Sequence, residues 1–288
     1  MLIIVSLTFR EAARKRILLA GVVLTVIFLS VYWTGIHFAF ESMRRIGAAD
    51  TTAVGEVANQ FEASLFFTMG LFMANMIAAL VAVFTAGGTI ATEIEQATLH
   101  TIVTRPISRT WVIIGKWFGH ALLLALYAAL LYGSLVAIVY LESGWLPNNV
   151  LAGGALIVGE ALVVLSATIF GSTLISTAAN AIIVLLLFMT AMIGGIIEQI
   201  GAMLGRDSLI TTGIVSGLLM PTDPLYRFAI NIMKPDASVL GAALPSGAAD
   251  LGPFGAASAP SAWVIVYAVF FALGLLAAAA AVFNRRDL

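Results

Sequence analysis

The sequence predicts an all-α polytopic membrane protein with six transmembrane helices, and three observations carry that prediction. The 288-residue chain is 61% hydrophobic and only 10% charged, with a mean hydropathy of +1.06, where a soluble domain carries about 25% charged residues. Six apolar segments, about 17–40, 64–91, 115–141, 151–175, 179–198 and 262–283, match the roughly 20 residues needed to cross a ~30 Å hydrocarbon core. Lys and Arg gather beside alternate ends of those segments, which sets an orientation. We read residues 1–288 as one transmembrane domain.

Residues 1–16 are apolar early (Leu2, Ile3, Ile4, Leu7, Phe9) and basic late (Arg10, Arg14, Lys15, Arg16). That pattern predicts an amphipathic elbow helix on the inner leaflet, its cations facing lipid phosphates; a plain topology signal is the alternative. The first apolar run is too long for a cleavable signal peptide and lacks a small-residue cleavage site. Residues 41–63, with Glu41, Asp50, Glu56 and Glu62, read as a polar outer connection. Spans four and five are separated only by Ser176-Thr177-Ala178, a tight cytoplasmic hairpin with Asn180 near the turn.

The stretch 199–261 is expected on the outer side. Within it, 208–220 and 225–233 are apolar but too short to cross, which predicts short re-entrant or interfacial helices between spans five and six. The Ala/Gly/Ser/Pro-rich tract 237–261 reads as a loop. Basic residues before the first span, in loop 92–116 and in the tail (Arg285, Arg286) place both termini in the cytoplasm. Arg44, Arg45, Arg206, Arg227 and Lys234 are spread over the longer opposite loops. The expected location is the plasma (inner) membrane, multi-pass.

Between spans two and three, residues 92–114 contain a polar, helix-forming segment rather than a bare turn. Glu93 and Glu95 open a helix and His100 and Arg105 close it, matching the helix dipole. Arg105-Pro106 stops it, because a residue before proline is pushed out of the α region. Ser108 can cap the next helix, which runs on through Arg109 and Trp111. Thr98, Leu99 and Ile102 share one face and offer an apolar ridge to a partner's groove, with Glu93, Glu95, Arg105 and Arg109 as its polar rim. A helix hairpin merely lying on the membrane is the competing reading.

These residues carry a resemblance. Thr8-Phe9-Arg10-Glu11-Ala12 with Arg14-Lys15-Arg16, Glu93-Ile94-Glu95-Gln96-Ala97-Thr98-Leu99, Arg105-Pro106-Ile107-Ser108-Arg109, Gly115-Lys116 and the closing Asn284-Arg285-Arg286-Asp287-Leu288 resemble permease subunits of ABC-2 type transporters. Within that family they are most similar to the permeases of multicopper-enzyme maturation, the group that includes the nitrous oxide reductase-associated permease. Ala97 stands where the family often has Gly, which stiffens the helix. The resemblance implies a cytoplasmic coupling helix at 93–105, two copies of a cytoplasmic ABC ATPase, a second permease copy in a homodimer or heterodimer, and an outer-side cargo or accessory protein. It also implies an exporter whose ATP and Mg are bound by the ATPase and not by this chain.

The remaining chemistry is sparse. The three lysines, Lys15, Lys116 and Lys234, lie outside any G-x-x-x-x-G-K-[ST] motif, so this chain encodes no nucleotide site. No cysteine is present, which excludes thiolate metal sites and thiol catalysis. The net charge of −1 argues against nucleic acid as a partner. Ser216, in Gly213-Ile214-Val215-Ser216-Gly217, does not form a nucleophile elbow. No catalytic or metal residue is therefore assigned, and the chain is read as a transport subunit.

Glu160 is the one acid inside a predicted span, roughly 13 Å deep at 1.5 Å per residue. Intramembrane acids are functional candidates, yet a neutral Glu packed beside Gly153, Gly154 and Gly159 would serve a structural role equally well. An ion-coupled secondary transporter or channel using Glu160 is the alternative function, though such proteins distribute ionisable groups along a path. Met69, Met73 and Met76 share a face, as core filler or as a thioether path for Cu(I). His120 reads as interfacial and Asn75 as an interhelical hydrogen-bonder.

Overall fold

A computed structural model describes residues 5–9, 16–46, 53–89, 109–235, 254–256 and 260–285. Apart from the short helical stretch 5–9, its helices in chain order are α1 (Arg16–Ile46), α2 (Ala53–Ala86), α3 (Arg109–Ser143), α4 (Val150–Ser172), α5 (Thr177–Leu204), α6 (Asp207–Leu219), α7 (Thr222–Met233) and α8 (Trp263–Arg285). No strand occurs among the described residues. Six of the helices, α1 to α5 and α8, are long and apolar enough to cross a membrane. The chain is an all-α polytopic membrane protein.

Several helices outrun the apolar segments that predict them. The polar connection expected at 41–63 is largely helical: α1 continues to Ile46 and α2 begins at Ala53. Glu41, Arg45, Glu56 and Glu62 are good helix formers, and a helix leaving the hydrocarbon keeps its backbone bonds while its side chains turn polar. The Arg45–Glu41 ion pair, one turn apart at 2.5 Å, belongs to that extension. At the other extreme, α4 stops at Ser172 and residues 173–176 make the turn into α5. Asn180 donates to the Thr168 carbonyl at 2.8 Å and holds that turn closed.

Burial separates hub from rim. Only 11% of the most apolar stretch of α1 and 17% of that of α8 are buried, against 72% for α2. Among the described helices α4 packs against α2, α3, α5, α7 and α8, whereas α1 leans mainly on α2 and α3. At the end away from the chain termini, Glu142 of α3 ties α1 in place. It accepts from Trp33 Nε1 at 2.9 Å, lies 3.1 Å from His37 Nδ1, and its carbonyl accepts from Arg44 at 2.7 Å.

The short helices form a hairpin packed on α5. Gly205, at φ 62°, ends α5 in the left-handed conformation that glycine adopts without strain, and Arg206 N–H returns to the Gly201 carbonyl at 2.8 Å. α6 then runs back along α5 on a glycine seam. A Cβ at Gly194 would strike Ser216, one at Gly201 would meet Leu209, and one at Gly213 would collide with Glu198. Met220 and Pro221 turn the chain again, and α7 passes up through the bundle, where Leu225, Tyr226, Ala229, Ile230 and Met233 are buried.

The far end of α7 is captured by the α3–α4 loop. Asn148 N–H donates to the Met233 carbonyl, the Asn148 side chain to Lys234, and the Asn149 side chain to Ile232, so the carbonyls left over at a helix end find donors. The expected pair of short helices is present, and α7 packs in the core of the bundle. Arg227, read from sequence as a loop cation, is 1% exposed inside the bundle.

Two apolar clusters form the core. One, near the termini, joins Val81, Ile113, Leu165, Val184 and Phe283. The other, toward the far end, joins Phe40, Phe67, Leu135, Tyr226 and Met233. At the junction between them lies a layer of polar side chains.

Candidate functional site

Two clusters of buried polar side chains among the described residues are candidates for function. The first is at the terminus end, where the chain leaves α2 and re-enters at α3. Lys116 and His120 of α3 are both buried. Lys116 Nζ donates to the Thr89 carbonyl at 2.8 Å, a cation placed where the C-terminal dipole of α2 favours it. His120 Nδ1 lies 3.0 Å from the Lys116 carbonyl and can donate to it, which leaves Nε2 to accept from the Thr89 hydroxyl at 3.2 Å. His120 is thus a buried clamp residue. On the re-entry side, Asn284 of α8 donates to Thr110 Oγ1 at 3.0 Å.

These contacts fix both flanks of the segment the sequence singles out. Glu93, Glu95, Thr98, Leu99, Ile102, Arg105, Pro106 and Ser108 themselves lie outside the described residues, and Arg109 is the first residue of α3. Arg10, Arg14 and Lys15 of the expected elbow also lie outside; Arg16 is the exposed first residue of α1. The helical stretch 5–9 seats Thr8 against Gly119 of α3, where a Cβ would come within 2.7 Å of Thr8 Cβ.

The second place is the polar layer at mid-bundle. Glu160 of α4, 1% exposed, accepts from Asn75 Nδ2 of α2 at 2.6 Å through Oε1. Its Oε2 is buried with no hydrogen-bond partner, as is Thr222 Oγ1 at the start of α7. Asp223 and Arg227, one helical turn apart, pair at 2.7 Å with side chains 4% and 1% exposed. Arg227 also donates to the Gly255 carbonyl at 2.7 Å, and Tyr226 OH donates to the Thr68 carbonyl at 3.1 Å. Gly195 of α5 makes room for Asp223, whose carboxylate occupies the space a Cβ would need.

Of this layer, sequence reasoning found Glu160 and Asn75 and missed Asp223, Thr222 and Arg227. A signal was available: Asp223 and Arg227 stand at the i, i+4 spacing of a helical ion pair, directly after the Pro221 break. The methionine face does not make a closed site, since Met69 and Met73 point outward at 48% and 44% exposure while Met76 packs inward. No cluster of three or more His, Asp or Glu suited to a metal occurs among the described residues. A separate cavity of about 520 Å³ between α4, α7 and α8, walled by Leu156, Gly159, Phe228, Ala268 and Ala272, is almost wholly apolar. It offers no polar group to orient a ligand.

Six helices of spanning length, with two short helices folded against the bundle before the last, define a polytopic membrane protein. The chain belongs to the ABC-2 family of transporter proteins, whose family model matches residues 2–288. It is accordingly a multi-pass membrane protein of the permease class, a class that works with a cytoplasmic ABC ATPase and a partner permease. No curated protein matches it significantly.

Proposed function

We propose that this chain is the permease of an ATP-driven ABC-2 exporter in which the 93–109 segment receives the ATPase's motion. Two ATPase copies bind ATP and Mg, and two permease copies share the pathway. Both termini and the 93–109 segment face the cytoplasm of the plasma membrane, and cargo or an accessory protein meets the other face. The observation that carries this reading is the clamp. A segment whose flanks are held by Lys116, His120 and Asn284 passes a push to α2 and α3, whereas a slack loop would absorb it.

Thr98, Leu99 and Ile102 then form the ridge that enters the ATPase, with Glu93, Glu95, Arg105 and Arg109 setting its register. Pro106 and Ser108 shape the turn into α3. Arg10, Arg14, Lys15 and Arg16 rest on the inner leaflet. The test is co-purification with the ATPase and measurement of its coupled activity. Leu99→Asp should weaken docking by about 2 kcal/mol, a ~30-fold loss of affinity, and Thr98→Pro should abolish coupled activity with the membrane bundle intact. Unchanged docking and coupling in both variants would refute the reading.

A further inference from the structure

Between Asn75, Glu160 and the first turn of α7 lies a small cavity with room for about one water-sized sphere, roughly 10 Å³, walled also by Phe188 and Met192 of α5. Two of the buried oxygens on its polar side, Glu160 Oε2 and Thr222 Oγ1, have no partner. We propose that this cavity is a proton-binding site that latches the α6–α7 hairpin. Glu160 Oε2 holds one proton and donates it through a single water to the Thr222 hydroxyl while the hairpin tip is seated.

Charge and placement support this. From α2, Glu160 meets only the neutral Asn75 amide. From α7 it faces Asp223, Arg227 and the Tyr226 phenol, but the Arg227 charge is committed to Asp223, and Tyr226 donates its proton to Thr68. From α5 the cavity wall is Phe188 and Met192; Glu198 lies further along that helix and packs on Gly213 of α6. α3 and α8 bring no side chain to the wall. An ionised Glu160 would therefore be a single uncompensated charge inside the bundle. A proton removes that charge and gives Oε2 a hydrogen to donate, through that water, toward Thr222 Oγ1.

The site closes only when the hairpin is in. Thr222 and Asp223 are the tip, and Asp223 fits the notch at Gly195. Lifting the tip would admit water to Glu160, allow the O–H bond to break and release the proton to that water; reseating requires its return. Hairpin position and proton occupancy are thus linked, and rising pH favours the lifted state. This does not depend on the coupling reading.

The absence of cysteine permits a clean test on the full chain in lipid. Spin labels at Leu151→Cys and Leu218→Cys, both outward-facing, report the α4-to-hairpin distance by pulsed electron resonance. In the native background the distribution should shift to a second, longer distance as pH is raised. Glu160→Gln, whose amide can accept from Asn75 and donate through the same water to Thr222, should hold the short distance at every pH. Infrared spectra should show a protonated carboxyl stretch in wild type that Glu160→Gln lacks and that replacement of the exposed acid, Asp207→Asn, keeps. A pH-independent distance in the native background, a Glu160→Gln variant that moves with pH like it, or absence of that band would each overturn the proposal.

Discussion

Arg227 is among the largest side chains buried completely in the described bundle, and its tolerance rests on Asp223 one turn before it. Removing one partner strands the other charge, at a cost of about 3–5 kcal/mol, while replacing both by apolar residues of similar size is often neutral. Asp223→Asn or Arg227→Met should therefore sharply lower the thermal stability of the detergent-solubilised protein, and the double variant Asp223→Leu/Arg227→Met should recover most of it. Additive losses in a double-mutant cycle would show that the pair is not a unit. Lys116 obeys the same logic at the terminus end. Lys116→Met deletes a charge-assisted bond to Thr89 worth about 1.5–3 kcal/mol, and hydrogen exchange should rise at the last turn of α2 before it rises elsewhere.

At the scale of elements, the α6–α7 hairpin packs on α5 because the seam between them is glycine. Gly195→Ala puts a methyl where the Asp223 carboxylate sits, and Gly213→Ala puts one against Glu198; overpacking of this kind costs about 1–3 kcal/mol. Both should lower the melting temperature. Gly133→Ala is the control, since a Cβ there meets nothing within 4 Å and a mid-helix alanine gains up to ~1 kcal/mol over glycine. Equal losses at all three positions would contradict the seam. Much of this was legible: apolar lengths of 208–220 and 225–233 too short to cross, and Pro221 between them. Where α7 would sit was not. Its sequence is amphipathic, which suits an interface or a polar-lined core equally, and only the partners supplied by α2, α4 and α5 decide for the core.

For the whole molecule, α2 is the member common to both polar places. It carries Asn75 in the mid-bundle layer and leads to Thr89 in the clamp, about 21 Å apart along a continuous helix and its closing turn at 1.5 Å per residue. Motion delivered at 90–108 would therefore reach the layer that seats the hairpin through a single rigid element. The proposed orientation is checked by single cysteines at two outward-facing sites at opposite ends, Leu146 and Leu174. Leu146→Cys should react with an impermeant maleimide in intact cells and Leu174→Cys only after permeabilisation; the reverse pattern would invert the protein. The sequence by itself determined the six spans and the two short helices, because apolar length and proline breaks act within a few residues of chain. Only the tertiary structure decided that Glu160, Asn75, Thr222, Asp223 and Arg227 share one layer and that Lys116 and His120 grip Thr89. Those meetings depend on how far each helix slides against its neighbours, which is set by glycine seams and side-chain volumes on separate elements.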